Sequence, residues 1–185
     1  MMIKMRSKPG ALPASLSRYF STTPQMGVTL IELVVTISIL AILMMIAVPS
    51  FTNATLSSKL TAFANEIVGS VYLARSEAMK RNAAVTLCMS SDGASCATSG
   101  SWEQGWIVLA PDGTTVLQRQ AALSQGFVAT SGVSSISFQP TGVGATAATL
   151  KVCRSTPTPG AQERIVTISL TGQPMVTTTT TGICP

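Results

Sequence analysis

Residues 28–48 read VTLIELVVTISILAILMMIAV, 21 positions with one ionisable group, Glu32. Helical residues rise about 1.5 Å each, so a run of this length reaches across the roughly 30 Å hydrocarbon core of a bilayer. The stretch predicts one membrane-spanning helix. A secretory signal peptide has a shorter apolar core, about 7 to 15 residues, and ends at a small-residue cleavage site. Here the run is longer and stops at Pro49.

Upstream, residues 1–27 are polar and basic, and Pro9, Gly10, Pro13 and Pro24 interrupt any helix. They read as a targeting leader that is removed. Lys4, Arg6, Lys8 and Arg18 precede the span and the next cation is Lys59, so the positive-inside bias keeps the N-terminus cytoplasmic and puts the C-terminal part outside. The same four residues account for most of the net charge. A formal +5 invites nucleic acid, yet beyond residue 27 eight Lys and Arg face seven Asp and Glu, a side-chain charge of +1. With 46% hydrophobic residues against 10% charged, the chain is too apolar for disorder, and 185 residues allow one globular domain beside the anchor.

Beyond Pro49, Leu56, Leu60, Phe63, Ile67, Val71, Ala74 and Ala78 recur at spacings of three and four, one face of an amphipathic helix. Ser58, Lys59, Asn65, Glu66 and Ser70 are expected mostly on its solvent side. If continuous from 28 to about 81, the helix is roughly 80 Å long, with a kink expected at Pro49. After Asn82 come short β-like runs at 84–90, 106–110, 115–119, 135–139, 150–154 and 164–170, separated by turn sequences such as SDG, PDG, TG and TPTPG. Residues 141–149 and the threonine run 177–181 predict loop and tail. The fold class is α+β: a long N-terminal helix, transmembrane in its first half and amphipathic in its second, packed on antiparallel sheet. The expected segments are a leader at 1–27, a transmembrane helix at 28–51, an amphipathic helix at 52–82 and an extracytoplasmic β-rich domain at 83–185.

Cys88, Cys96, Cys153 and Cys184 all lie beyond the anchor, on the side where disulfides persist. Three pairings are open. The short separation of Cys88 and Cys96 favours a local loop and leaves Cys153 to tether Cys184. A metal site is disfavoured because the chain has neither a CxxC nor a histidine.

Around the start of the span, Gly27, Val28, Thr29, Leu30, Ile31, Glu32 and Leu33 form an uncharged run broken by one carboxylate. A carboxylate in a bilayer calls for a partner or a task. This stretch, over roughly 27–51, resembles the N-terminal signature of type IV pilins and pseudopilins. The resemblance implies that a prepilin peptidase cuts after Gly27 and methylates the new N-terminus at Val28, where such pilins usually carry Phe. A glycine at the cut lets the extended peptide enter the active site. It also implies that Glu32 pairs with the amino group of a neighbouring subunit's Val28 during assembly, that Pro49 stands where such pilins commonly have proline, and that the apolar helices bundle with the sheet domains outside. The implied partners are other pilin or pseudopilin subunits, the peptidase, an inner-membrane assembly platform and the membrane itself. The implied place is the bacterial inner membrane, single-pass with a periplasmic domain, and then a pilus or pseudopilus.

Further along, Ala74, Arg75, Ser76, Glu77, Ala78, Arg81, Asn82, a strand ending at Cys88, and Trp102, Gly105 and Trp106 resemble the FimT/GspH group of minor pilins and pseudopilins. Packing explains the two tryptophans equally well, and a solvated helix end explains Arg75, Glu77, Lys80 and Arg81. The resemblance implies a minor pilin that helps prime or cap a type IV pilus, with a type II secretion pseudopilin as the alternative. DNA is a further partner to weigh, since some FimT-like pilins take up DNA through a Gly-Arg-x-Arg motif. The corresponding residues here, Gly172, Gln173, Pro174 and Met175, lack both arginines. Lys151, Arg154 and Arg164 would form a basic patch only if their strands adjoin, and charged sheet edges are the commoner reason for such residues. Catalysis is not expected. Without histidine there is no Ser-His or Cys-His pair, no phosphate-cradling loop is present, and Asp92, Glu103 and Asp112 fall in turn-like contexts where solvation is the default. No cofactor and no metal are expected.

Overall fold

The structure, a computed structural model, describes residues 27–143, 145–155, 162–180 and 184. The basic leader up to residue 26, the TPTPG turn and residue 181 of the threonine run lie outside the described residues. The chain divides into two compact units, Met1–Met45 and Ile46–Pro185.

One helix, α1, runs from Leu30 to Arg81. In its first part the hydroxyls bond back onto the helix: Thr36 Oγ1 donates to the Leu33 carbonyl at 2.8 Å and Ser38 Oγ to that of Val34 at 2.7 Å. These local bonds satisfy polar groups without solvent. Pro49 lies inside the helix, which continues past it. The C-terminus is closed by Asn82 at φ 49°, with the Ala83 N–H on the Ala78 carbonyl at 3.2 Å and the Asn82 N–H on that of Met79 at 3.3 Å. This is a Schellman cap, and Lys80 and Arg81 in the last turn favour the negative end of the helix dipole.

In the second unit, Leu56, Leu60, Ala64, Ile67, Ser70, Val71, Ala74 and Ala78 are buried. The expected stripe holds at six of its seven positions. Phe63 is only partly buried, meeting Phe127 edge-on at 5.1 Å between ring centroids. Ser70, expected on the solvent side, is fully buried because it accepts the Trp106 indole N–H at 2.9 Å.

Among the described residues the β-rich part holds eight strands: β1 Val85–Met89, β2 Trp106–Leu109, β3 Val116–Gln120, β4 Phe127–Ser131, β5 Ser135–Phe138, β6 Ala148–Arg154, β7 Glu163–Ile168 and β8 Pro174–Thr179. They form two antiparallel four-stranded sheets, ordered β3-β2-β1-β5 and β4-β6-β7-β8. Six strands match the expected runs. β4 is additional, and β8 corrects the reading of the threonine run, since residues 174–179 pair with β7 from Pro174↔Ile168 to Thr179↔Glu163. Threonine is β-branched and suits a strand, and proline is tolerated at a strand's first residue.

Side chains from α1 and both sheets make one core, including Leu60, Ile67, Leu87, Phe138, Leu150 and Val166. Trp102, on a short 3-10 turn at Trp102–Gln104, joins it and donates to the Val133 carbonyl at 2.8 Å. Gly105 follows at φ +107°, where a Cβ would come within 2.5 Å of the Gln120 carbonyl oxygen, so only glycine passes the chain from this turn into β2. On the other face of the first sheet, Cys88, Ile107 and Leu109 form a second small buried cluster.

Candidate functional site

At the start of α1 the backbone N–H of Glu32 bonds Thr29 Oγ1 at 3.3 Å, and that of Leu33 bonds the Thr29 carbonyl at 3.1 Å. Thr29 thus caps the helix, and Thr29-x-x-Glu32 has the spacing of a capping box. Glu32 sits in the first turn, where the helix dipole favours a carboxylate. From Gly27 through Thr55 every described side chain is exposed, among them Leu30 at 80% and Met45 at 78%. An 18-residue window of α1 has a mean hydropathy of 2.7 and none of it is buried. By length and composition the helix can cross a membrane. In water so large an exposed apolar surface would aggregate, so it is a surface for lipid or for other apolar helices.

The cysteines pair Cys88 with Cys96 and Cys153 with Cys184. Between the first two, Asp92 accepts the N–H groups of Ala94 and Ser95 and the hydroxyls of Ser90 and Ser95, all within 2.9 Å. These four donors hold its carboxyl well below the usual carboxylate range. Asp112 does the same in the turn between β2 and β3, and bonds from Thr114 and Thr115 bring its pKa down to about 2. Glu103, read as a solvated turn acid, instead accepts the Ser101 hydroxyl at 2.7 Å and the Ala129 N–H at 3.1 Å, tying the 3-10 turn to β4. All three acids are occupied by loop architecture.

β6 and β7 adjoin, yet they do not gather Lys151, Arg154 and Arg164 into one patch. Opposite residues of an antiparallel pair share a face and successive residues alternate. Val152↔Arg164 puts Arg164 on the face toward α1, and Arg154 shares that parity, whereas Lys151 falls on the other. Arg164 is 7% exposed and donates to Ser57 Oγ at 2.9 Å, Thr61 Oγ1 at 3.3 Å and the Glu163 carbonyl at 3.1 Å. Lys151 pairs with the buried Glu163 carboxylate at 2.9 Å, which also takes the Thr179 hydroxyl at 2.8 Å. Lys151 and Arg164 are therefore built into the domain. At the helix end, Glu77 pairs with Arg81 at 2.6 Å and Lys80 at 3.5 Å, and Arg75 bonds the Gly142 carbonyl at 3.0 Å. Arg154 lines a cavity with Lys59 and Phe127, a grouping hidden from sequence because these residues come from α1, β4 and β6.

A family model described as type II transport protein GspH matches residues 64–172. The fold is similar to that of the type IV minor pilin FimU of Pseudomonas aeruginosa, at 21% identity and a TM-score of 0.52 over 65% of this chain and 90% of that one. The minor pseudopilin EpsH of the Vibrio cholerae type 2 secretion system also aligns, at 14% identity and a TM-score of 0.48 over 64% of this chain and 96% of EpsH. No curated protein matches significantly.

Proposed function

Because this chain belongs to the type II transport protein GspH family, whose members are structural subunits and not enzymes, we propose that it is a membrane-anchored minor pilin of a type IV pilus that helps to start or cap the filament. The observation that carries this reading is the exposed apolar stretch of α1 with Glu32 as its sole ionisable residue before Lys59. Such a surface serves first as an anchor and then as the contact between subunits. Cleavage between Gly27 and Val28 would free an amine four residues before Glu32, close enough in type and position for the same surface to pair amine with carboxylate between copies. The membrane orientation rests on Lys4, Arg6, Lys8 and Arg18, which precede the span. Prepilin peptidase and an inner-membrane platform would then be its processing and assembly partners.

A secretion pseudopilin is the second reading, favoured by the description of the family that the chain matches. DNA uptake has weaker support, because Lys151 and Arg164 are engaged within the domain. A deletion strain scored separately for piliation, protein secretion and DNA uptake tests these readings. Loss of piliation with secretion intact is expected, and loss of secretion alone would transfer the protein to the second reading. Replacing Gly27 with a bulky residue should leave the longer precursor in the membrane, seen as a mass difference equal to residues 1–27.

A further inference from the structure

A cavity of about 470 Å³ lies between the loop that follows Cys96 and the turn joining β4 to β5, a size within the range of small-ligand pockets, about 300 to 1,000 Å³. Six hydroxyls line it, those of Thr98, Ser99, Ser101, Thr130, Ser131 and Ser134. The same turn, through Ser131, Gly132 and Val133, also borders a second cavity of about 340 Å³, where Thr149 and Thr167 add two more hydroxyls. Among the described residues neither lining includes a charged side chain. Met89 and Trp102 are part of the first lining but are themselves buried, so a ligand meets little apolar surface there.

Both walls are fixed by the fold. On one side stand the Cys88–Cys96 disulfide and the Ala97 N–H on the Met89 carbonyl at 2.8 Å. On the other, the Val133 carbonyl takes the Trp102 indole N–H, the Val133 N–H bonds Ser131 Oγ at 3.3 Å, and the Ser134 carbonyl takes the Met89 N–H at 3.1 Å. Ser101 and Ser131 are engaged in this framework, whereas the hydroxyls of Thr98, Ser99, Thr130 and Ser134 make no bond among the described residues. A hydroxyl donates and accepts, so four unengaged ones on rigid walls match a ligand that presents hydroxyls of its own, with little ordering left to be done on binding. No cation stands ready for a phosphate, and an apolar ligand would strip the hydroxyls of water without replacing its bonds. We propose that the two cavities form one groove for a neutral oligosaccharide, whose chain crosses the turn at Gly132. The groove lies wholly within the second unit and is independent of the membrane-crossing segment.

Gly132 offers a way to block the groove while sparing the fold. A Cβ placed there meets nothing within 4 Å, and its backbone is outside the left-handed region, so Gly132→Leu adds a side chain between the two cavities without strain. The full-length protein, in a detergent that has no sugar headgroup, is mixed with chitotriose, maltotriose or cellotriose at millimolar concentration, and contact is read by saturation-transfer NMR. The parent should bind at least one of the three, with affinity then measured by calorimetry. Gly132→Leu should bind it roughly tenfold more weakly or worse, as should the combined Thr98→Val, Ser99→Ala, Thr130→Val, Ser134→Ala protein, which lacks the four hydroxyls. Those hydroxyls hold nothing inside the protein, so both variants should melt with the parent. The Ser76→Ala control should bind as the parent does. The two variants act by different means, and a folding defect in one leaves the other decisive. Absence of transfer to all three sugars would overturn the proposal, as would unchanged binding by either correctly folded variant. Displacement of the sugar by a neutral glycine-serine heptapeptide at matched concentration would overturn it in favour of a peptide groove.

Discussion

Trp106 and Ser70 show what one hydroxyl does inside a packed core. Both are buried, and the serine oxygen is the acceptor for the indole N–H while its own proton goes to the Glu66 carbonyl at 2.9 Å. Ser70→Ala removes only one oxygen but leaves the indole without its acceptor, a loss of about 1 to 3 kcal/mol measurable by denaturant unfolding. Ser70→Ala combined with Trp106→Phe should cost less than the sum of the two single changes, because the stranded donor is then gone as well. Arg164 is a second such residue. Truncation to alanine removes the charged bonds to Ser57 and Thr61 and should destabilise by about 1 to 2 kcal/mol, whereas a gel shift with the same variant should resemble the parent's. Asp112 gives the pH dependence. Its folded pKa of about 2 lies below the ordinary aspartate value of about 3.9, so its stabilisation is complete above roughly pH 4 and is lost as pH falls toward 2. Parent and Asp112→Ala melting temperatures should converge across that window. A constant gap from pH 5 to pH 2 would rule out the carboxylate as the source.

Among the elements, the disulfides divide by the length of chain they close. Cys153–Cys184 spans 31 residues and Cys88–Cys96 spans 8. Loop-closure entropy gives about 4 kcal/mol for the longer and about 2 to 3 for the shorter, so a Cys153→Ser, Cys184→Ser protein should lose more stability than the Cys88→Ser, Cys96→Ser one in parallel urea titrations. The pairing was favoured from separations alone, because a short loop closes most easily. Other features were legible for equally local reasons: the helix by its three-four spacing, and six strands by apolar runs between turn residues. β4 escaped because Phe127–Ser131 is five residues with little alternation, and β8 because a threonine run resembles a low-complexity tail until its β-branching is weighed. The burial of Ser70 and the Lys59, Phe127, Arg154 cavity depend on how α1 packs on the sheets, and the separation of Lys151 from Arg164 on register between distant strands. No single window of sequence holds that information.

For the molecule as a whole, the proposed reading turns on Glu32, whose environment would then depend on other copies of the chain. The dipole of its own helix is worth about 0.3 to 1 kcal/mol, less than the roughly 2.5 to 3.5 kcal/mol that a charge costs at mid-span on insertion scales. In the proposed pairing, a neighbour's amine at about 4 Å would supply on the order of 4 kcal/mol at an effective dielectric of 20, enough to offset that cost. Glu32→Ala should therefore insert into the membrane at least as well as the parent and yet fail to enter filaments. The Thr29→Ala variant separates pairing from capping. It loses the cap, about 1 kcal/mol of local helix stability, but keeps the carboxylate, so it should still assemble. Each variant is expressed in the deletion strain, and the protein is quantified in the membrane and in sheared filaments. Equal amounts of Glu32→Ala and parent in the filament fraction would show that the carboxylate has no part in assembly. Parallel losses for Thr29→Ala and Glu32→Ala would assign its role to shaping the first helical turn.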